Sequence, residues 1–193
     1  MFGRKHEFKA DRTGASLISR LYLTRKQRFS LLRWTLYGLF LLFLSLFQDV
    51  ILCQMRLGGA TTDLVSAGIL LLCVILPTET CAVFALIGSL LYYFSGMAAG
   101  PYSIVFLTGL GIVLNIFRCG YLQKNFLTTW LCASVALMAY ELLVFLTGLF
   151  LGHTTIQRLG GFLTTGGLSV AVMPLMYVVL FSISKIGGEA WKE

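Results

Sequence analysis

Apolar residues run unbroken along much of this chain instead of alternating with polar ones. From 80 to 117, thirty-eight residues pass without a charged side chain, interrupted only at Gly96-Met97-Ala98-Ala99-Gly100-Pro101. At about 1.5 Å per helical residue this stretch is about twice the ~30 Å hydrocarbon thickness of a bilayer. Pro101 has no backbone donor and disfavours helical geometry in the residue before it, so the Gly-rich break divides the stretch into two spans. The remaining apolar runs give 34–53, 64–76, 126–151 and 162–183, and the long stretch gives 80–94 and 101–117. Segments such as Leu36-Tyr37-Gly38-Leu39-Phe40-Leu41-Leu42-Phe43 are apolar on every face, which a barrel strand with period-two alternation is not. The expectation is an all-α, polytopic integral membrane protein of six transmembrane helices. Its second and third spans are short enough to need a bundle around them or borrowed polar residues.

Composition agrees: 58% hydrophobic and 12% charged residues leave too little polar surface to solvate a globule of 193 residues. Charge orients the spans, because Lys and Arg accumulate on the cytoplasmic side. With six spans and both termini cytoplasmic, thirteen Lys and Arg fall inside and two, Arg56 and Arg158, outside. Merging the second and third runs would change that split to ten against five. The segment 1–33 carries nine basic residues against Glu7 and Asp11, so it holds the whole net charge of +7. Within it Leu17, Ile18, Leu21 and Tyr22 recur at helical spacing beside Arg20, Arg25, Lys26 and Arg28. That pattern suits an interfacial helix on an anionic inner leaflet, and suits equally a bare orientation signal. The expected organisation is therefore a basic segment 1–33, a transmembrane domain 34–184 and a short cytoplasmic tail 185–193. Nucleic acid is not an expected partner, because aromatic stacking platforms and a folded basic surface are missing.

A cleavable leader is not expected, since the first apolar run follows some thirty polar residues and has no small-x-small site after it. Cys53, Cys73, Cys81, Cys119 and Cys132 show no C-x-x-C spacing and read as small apolar core residues. His6 and His153 lack acidic or Cys partners at ligand spacing, so no metal or other cofactor is expected. Polar residues at membrane depth cost about 2.5–3.5 kcal/mol each and need a reason. Glu141 is the outlier, sixteen residues into the fifth run, and reads as a carboxyl that fixes helix register, against Asn115 or Tyr140, or docks a partner helix. Proton transfer is the rarer use. Asn115 and Arg118, three apart on one helical face, could together receive a carboxylate from a neighbouring helix. Gln48, Asp49, Asp63 and Glu79 sit at span ends and read mostly as polar caps.

Small residues mark helix contacts: Gly148-x-x-x-Gly152 ends the fifth run, Gly88 lies mid-span in the third, and Gly109 and Gly111 lie in the fourth. Gly160-Gly161 and Gly166-Gly167 suggest a flexible approach to the sixth span, and Pro174 a kink within it. No Gly-rich phosphate loop, nucleophile elbow, metal-binding helix pair or carboxylate dyad is visible, so the chain does not read as an enzyme.

Gln48 closes the first span, Thr62-Asp63-Leu64 opens the second, and Glu79 occupies the tight second loop. Gly88, Gly96 and Gly100 mark successive turns, and Glu141 lies in the fifth span. In this order the chain resembles the rod shape-determining protein MreD family over about 34–184, including Leu168-Ser169-Val170-Ala171-Val172-Met173-Pro174-Leu175 in the last span. It departs from the family at Thr62, often Pro, at Thr80, often Gly, at Tyr92, where the family has Asp, and in its long basic N-terminus. The resemblance implies a non-enzymatic scaffold of the bacterial cell-elongation complex in the cytoplasmic membrane, supporting cell shape and lateral peptidoglycan synthesis. Its partners would be an MreC-like bitopic protein and, through it, the actin-like MreB, the SEDS glycosyltransferase and a class B penicillin-binding protein. A six-helix chain with short second and third spans is also similar to the substrate-binding component of an energy-coupling-factor transporter. Tyr92, Tyr93 and Tyr102 near the outer loops would suit that ligand role, or equally an interfacial aromatic belt. A proton-coupled carrier would rest on Glu141 alone.

Overall fold

The computed structural model describes residues 25–52, 61–121 and 125–186. Among them all regular structure is helical. Helix α1 is Arg25–Phe47, continued by a π-helical turn Gln48–Leu52; α2 is Leu64–Ile75; α3 is Thr78–Phe94; α4 is Tyr102–Tyr121; α5 is Phe126–Phe150. A 3-10 turn, Ile156–Arg158, leads into α6, Leu159–Ser184. Four segments are long and apolar enough to cross a membrane: Arg28–Val50, Tyr102–Tyr121, Phe126–Phe150 and Ile156–Ser184. Helices α2 and α3 are apolar but shorter. The proposed interfacial residues Leu17 to Tyr22, His6, Cys53, Arg56 and the tail from 187 lie outside the described residues.

Helix breaks follow the local chemistry. Leu76 leaves α2 with extended backbone and Pro77, fixed near its own preferred φ, starts α3, so two residues turn the chain. Gly96 takes a left-handed φ of +76° after Ser95 and ends α3. Two sequence expectations shift. Helix α1 begins at Arg25, so the basic residues up to Arg33 continue directly into the first long helix. Helix α6 begins at Leu159, which places both glycine pairs inside it in place of a flexible approach, and it runs on through Pro174.

The shortest helix is the centre of the molecule. Eleven of the twelve residues of α2 are buried, and α2 packs against all five of the other helices. Glycines allow that closeness. A Cβ on Gly68 would stand 2.6 Å from Leu44 Cδ1 of α1, one on Gly88 of α3 would meet Ile69 of α2 at 2.9 Å, and one on Gly111 of α4 would meet Cys73 Sγ at 2.8 Å. Gly109, by contrast, faces open space. The outward faces of α1, α3, α4, α5 and α6 carry exposed apolar side chains such as Leu39, Phe43, Leu86, Val113, Val135 and Leu175, as a lipid-facing surface does.

Candidate functional site

A helix of twelve residues is about 18 Å long, well short of a ~30 Å apolar slab. The free N–H and C=O groups at its ends therefore need protein partners. At its N-terminus Asp63 is the cap. Its Oδ1 accepts from Ser66 N–H at 3.3 Å and from Gln48 Nε2 at 3.3 Å, and its Oδ2 accepts from the Tyr92 hydroxyl at 2.7 Å. Gln48 Oε1 takes the next free donor, Val65 N–H, at 2.9 Å. The Asp63 backbone N–H donates to Ser169 Oγ at 2.8 Å. One buried carboxylate thus fastens the turn after α1, α2 and α3, and its own peptide adds α6. At the other end Asn115 of α4 donates to the carbonyls of Leu76, at 2.7 Å, and of Cys73.

Above the Asp63 end lies a cavity of about 730 Å³, lined by residues of α3, α5 and α6, by Asp63 at the cap of α2, by Gln48 in the turn after α1 and by the connecting turns. Gln48, Asp63, Tyr92, Tyr140, Glu141 and Arg158 give it a polar lining, and Val144 and Phe162 add apolar wall. Glu141 and Tyr140 are placed there because α5 is long. The helix carries them nine residues short of its end at Phe150, about 14 Å down from it. Gly166 of α6 leaves room for this, since a Cβ there would stand 2.7 Å from Met138 Sδ and 3.6 Å from Glu141 Cγ.

The candidate residues separate clearly. Gln48, Asp63 and Glu141 meet at the cavity, and the cap expected of Asp63 is present. Glu79 is exposed in the first turn of α3, away from them. Asn115 neither faces Glu141 nor receives a carboxylate, because the end of α2 presents it with two unpaired carbonyls first. Arg118 is buried in the last turn of α4. Gly88 packs a helix pair as expected, but Gly148 and Gly152 do not form a helix-docking stripe. Gly152 lies beyond α5 with φ +72°, and His153 N–H donates to Gly148 O at 2.9 Å, so the two glycines close a helix C-cap. Of the cysteines, Cys73 and Cys81 are buried and Cys132 half-buried, while Cys119 is exposed.

The pairing of two carboxyls across one cavity was missed in the sequence because 63 and 141 are far apart along the chain. Helix parity was the available signal: α2 begins, and α5 ends, at the same side of the bundle. Tyr92 lines the cavity as a ligand role would require, joined by Tyr140, whereas Tyr93 is exposed and the Tyr102 hydroxyl donates to its own turn at Ala99 O. No family model, curated protein or solved structure matches this chain.

Proposed function

We propose that the chain is a six-span, non-enzymatic scaffold of the bacterial cytoplasmic membrane, of the MreD kind, that holds the single transmembrane helix of an MreC-like protein within the cell-elongation machinery. Both termini lie in the cytoplasm on this reading, and the cavity opens outward. The supporting observation is the Asp63 hub. Gln48 and Asp63, which help carry the MreD resemblance, hydrogen-bond to each other, and Glu141 lines the same cavity. Residues that join four helices at one point suit a protein whose task is to present a fixed surface to other membrane helices. The departure at Tyr92 fits this reading, because its hydroxyl binds the Asp63 carboxylate instead of adding a third acid.

Affinity purification from a strain expressing both proteins tests it, with an MreC-like bitopic protein expected to co-purify and its absence counting against the scaffold. Topology is tested by cysteine labelling in the full-length, otherwise cysteine-free chain. Gly3→Cys and Glu189→Cys should be protected from outside and Gln157→Cys labelled.

The cavity itself favours a second reading, the substrate-binding component of an energy-coupling-factor-type transporter. Co-purification with an ATPase pair and a coupling subunit, in place of the bitopic protein, would decide for it.

A further inference from the structure

Two carboxyl groups share the cavity, and only one of them is engaged. The Asp63 oxygens take three donors. Glu141 is 8% exposed and lines the same cavity, and none of the hydrogen bonds described above, which converge on Asp63, reaches its carboxyl. With no protein donor on it, this carboxyl has only the contents of the cavity to bond, and a donor that enters can engage it. At about 730 Å³ the space lies within the range of small-molecule pockets. Its remaining walls include Tyr92, Tyr140 and Phe162, whose ring faces attract cations. Among the described lining residues one base is present, Arg158, exposed in the 3-10 turn. The charge pattern is acidic in depth and basic at the rim.

We propose that this cavity binds a small organic cation, with a primary ammonium group received by Glu141 in the field of Asp63 and the carbon skeleton against Tyr140, Val144 and Phe162. An ammonium carries three donors and no acceptor, which matches an unfilled carboxyl beside a filled one. A hard metal ion suits the site less well. It needs about six or more oxygen ligands, and no group of three or more His, Cys, Asp or Glu able to hold a metal occurs among the described residues. The proposal stands on the cavity and does not depend on whether the chain is a scaffold or a transporter component.

Calorimetric titration of the detergent-solubilised full-length protein with cadaverine, with pentanediol as its neutral counterpart, tests the assignment. Lysine, which is cadaverine with a carboxylate added, probes the rim, and sodium chloride alone probes an inorganic cation. Saturable binding of cadaverine and none of pentanediol is expected. Glu141→Gln should weaken cadaverine by about tenfold or more, the loss of one charge-assisted contact. Val144→Phe, which fills the cavity without altering charge, should weaken it as well. Arg158→Ala should tighten cadaverine relative to lysine by removing a like charge at the rim. Each variant is first checked for a monodisperse, cooperatively unfolding protein, and Val144→Phe carries the test if Glu141→Gln is not folded. Absence of saturable cadaverine binding, equal binding of pentanediol, saturation by sodium at the same concentration, or unchanged cadaverine affinity in a folded Glu141→Gln protein would each overturn the proposal.

Discussion

The two ends of α2 face the same difficulty and meet it differently. Both lie buried within the bundle, and both leave backbone groups without a partner in the helix itself. At the C-terminal end a single neutral side chain, Asn115, serves the carbonyls of Cys73 and Leu76, and the site is closed. At the N-terminal end a charged residue does the capping, three further side chains gather on it or on its peptide, and a cavity remains with Glu141 in its wall. The contrast separates structure from potential function. Satisfying a helix end needs one amide, so the additional carboxyl and the open space beside Asp63 go beyond what folding requires.

The largest way to break this comparison is Asp63→Ala. It removes the cap and leaves Tyr92, Gln48 and Ser66 N–H without their acceptor, so unfolding free energy should fall by about 2–4 kcal/mol. Denaturant titration in detergent measures it, and Asp63→Asn, which keeps one acceptor oxygen, should lose less than half as much. Asn115→Leu comes next. The side chain is similar in size but leaves two carbonyls bare, for about 1–3 kcal/mol by the same titration. If the two variants cost the same, the ends differ less than their chemistry implies.

Smaller effects sharpen the picture. Gly111→Ala should cost about 1–2 kcal/mol because its new methyl group meets Cys73 Sγ of α2 at 2.8 Å, whereas Gly109→Ala, facing open space two residues away, should change stability by less than about 0.5 kcal/mol or raise it slightly. The smallest change is expected for Glu141→Gln, within about 0.5 kcal/mol, since no hydrogen bond among the described residues is lost. On the scaffold reading this variant also restores rod shape in a complementation assay at matched protein level. A folded, assembled but inactive Glu141→Gln protein would instead point to proton or ligand traffic through the cavity.

Helix positions were legible because apolar runs of this length have few alternatives. The run read at 126–151 is helix Phe126–Phe150, and the run read at 64–76 is helix Leu64–Ile75. What could not be read was who meets whom. Asn115 and Arg118 looked like a carboxylate receptor because side-chain complementarity is visible in a sequence, while the bare carbonyls of a short helix leave no side-chain signature. The Gly148-x-x-x-Gly152 spacing serves a helix crossing and a left-handed C-cap alike. Only the polar run His153-Thr154-Thr155 that follows distinguishes them. Gly68 is a single glycine among mostly apolar neighbours in the sequence, yet in the structure it lets Leu44 and Met176 close on α2.

The bond from Asp63 N–H to Ser169 Oγ spans 106 residues, and this sets a schedule for biosynthesis. The central helix emerges early from the ribosome, shorter than a bilayer's apolar thickness, and a two-residue turn at Leu76-Pro77 joins it to α3. Its last fastening arrives only when the first part of α6, up to Ser169, has been made. A nascent chain stopped after α4 or α5 therefore holds α2 with an unpaired peptide and an open flank. Truncated chains would report on an incompletely fastened α2, and only tags placed in the finished protein would report where α2 comes to rest.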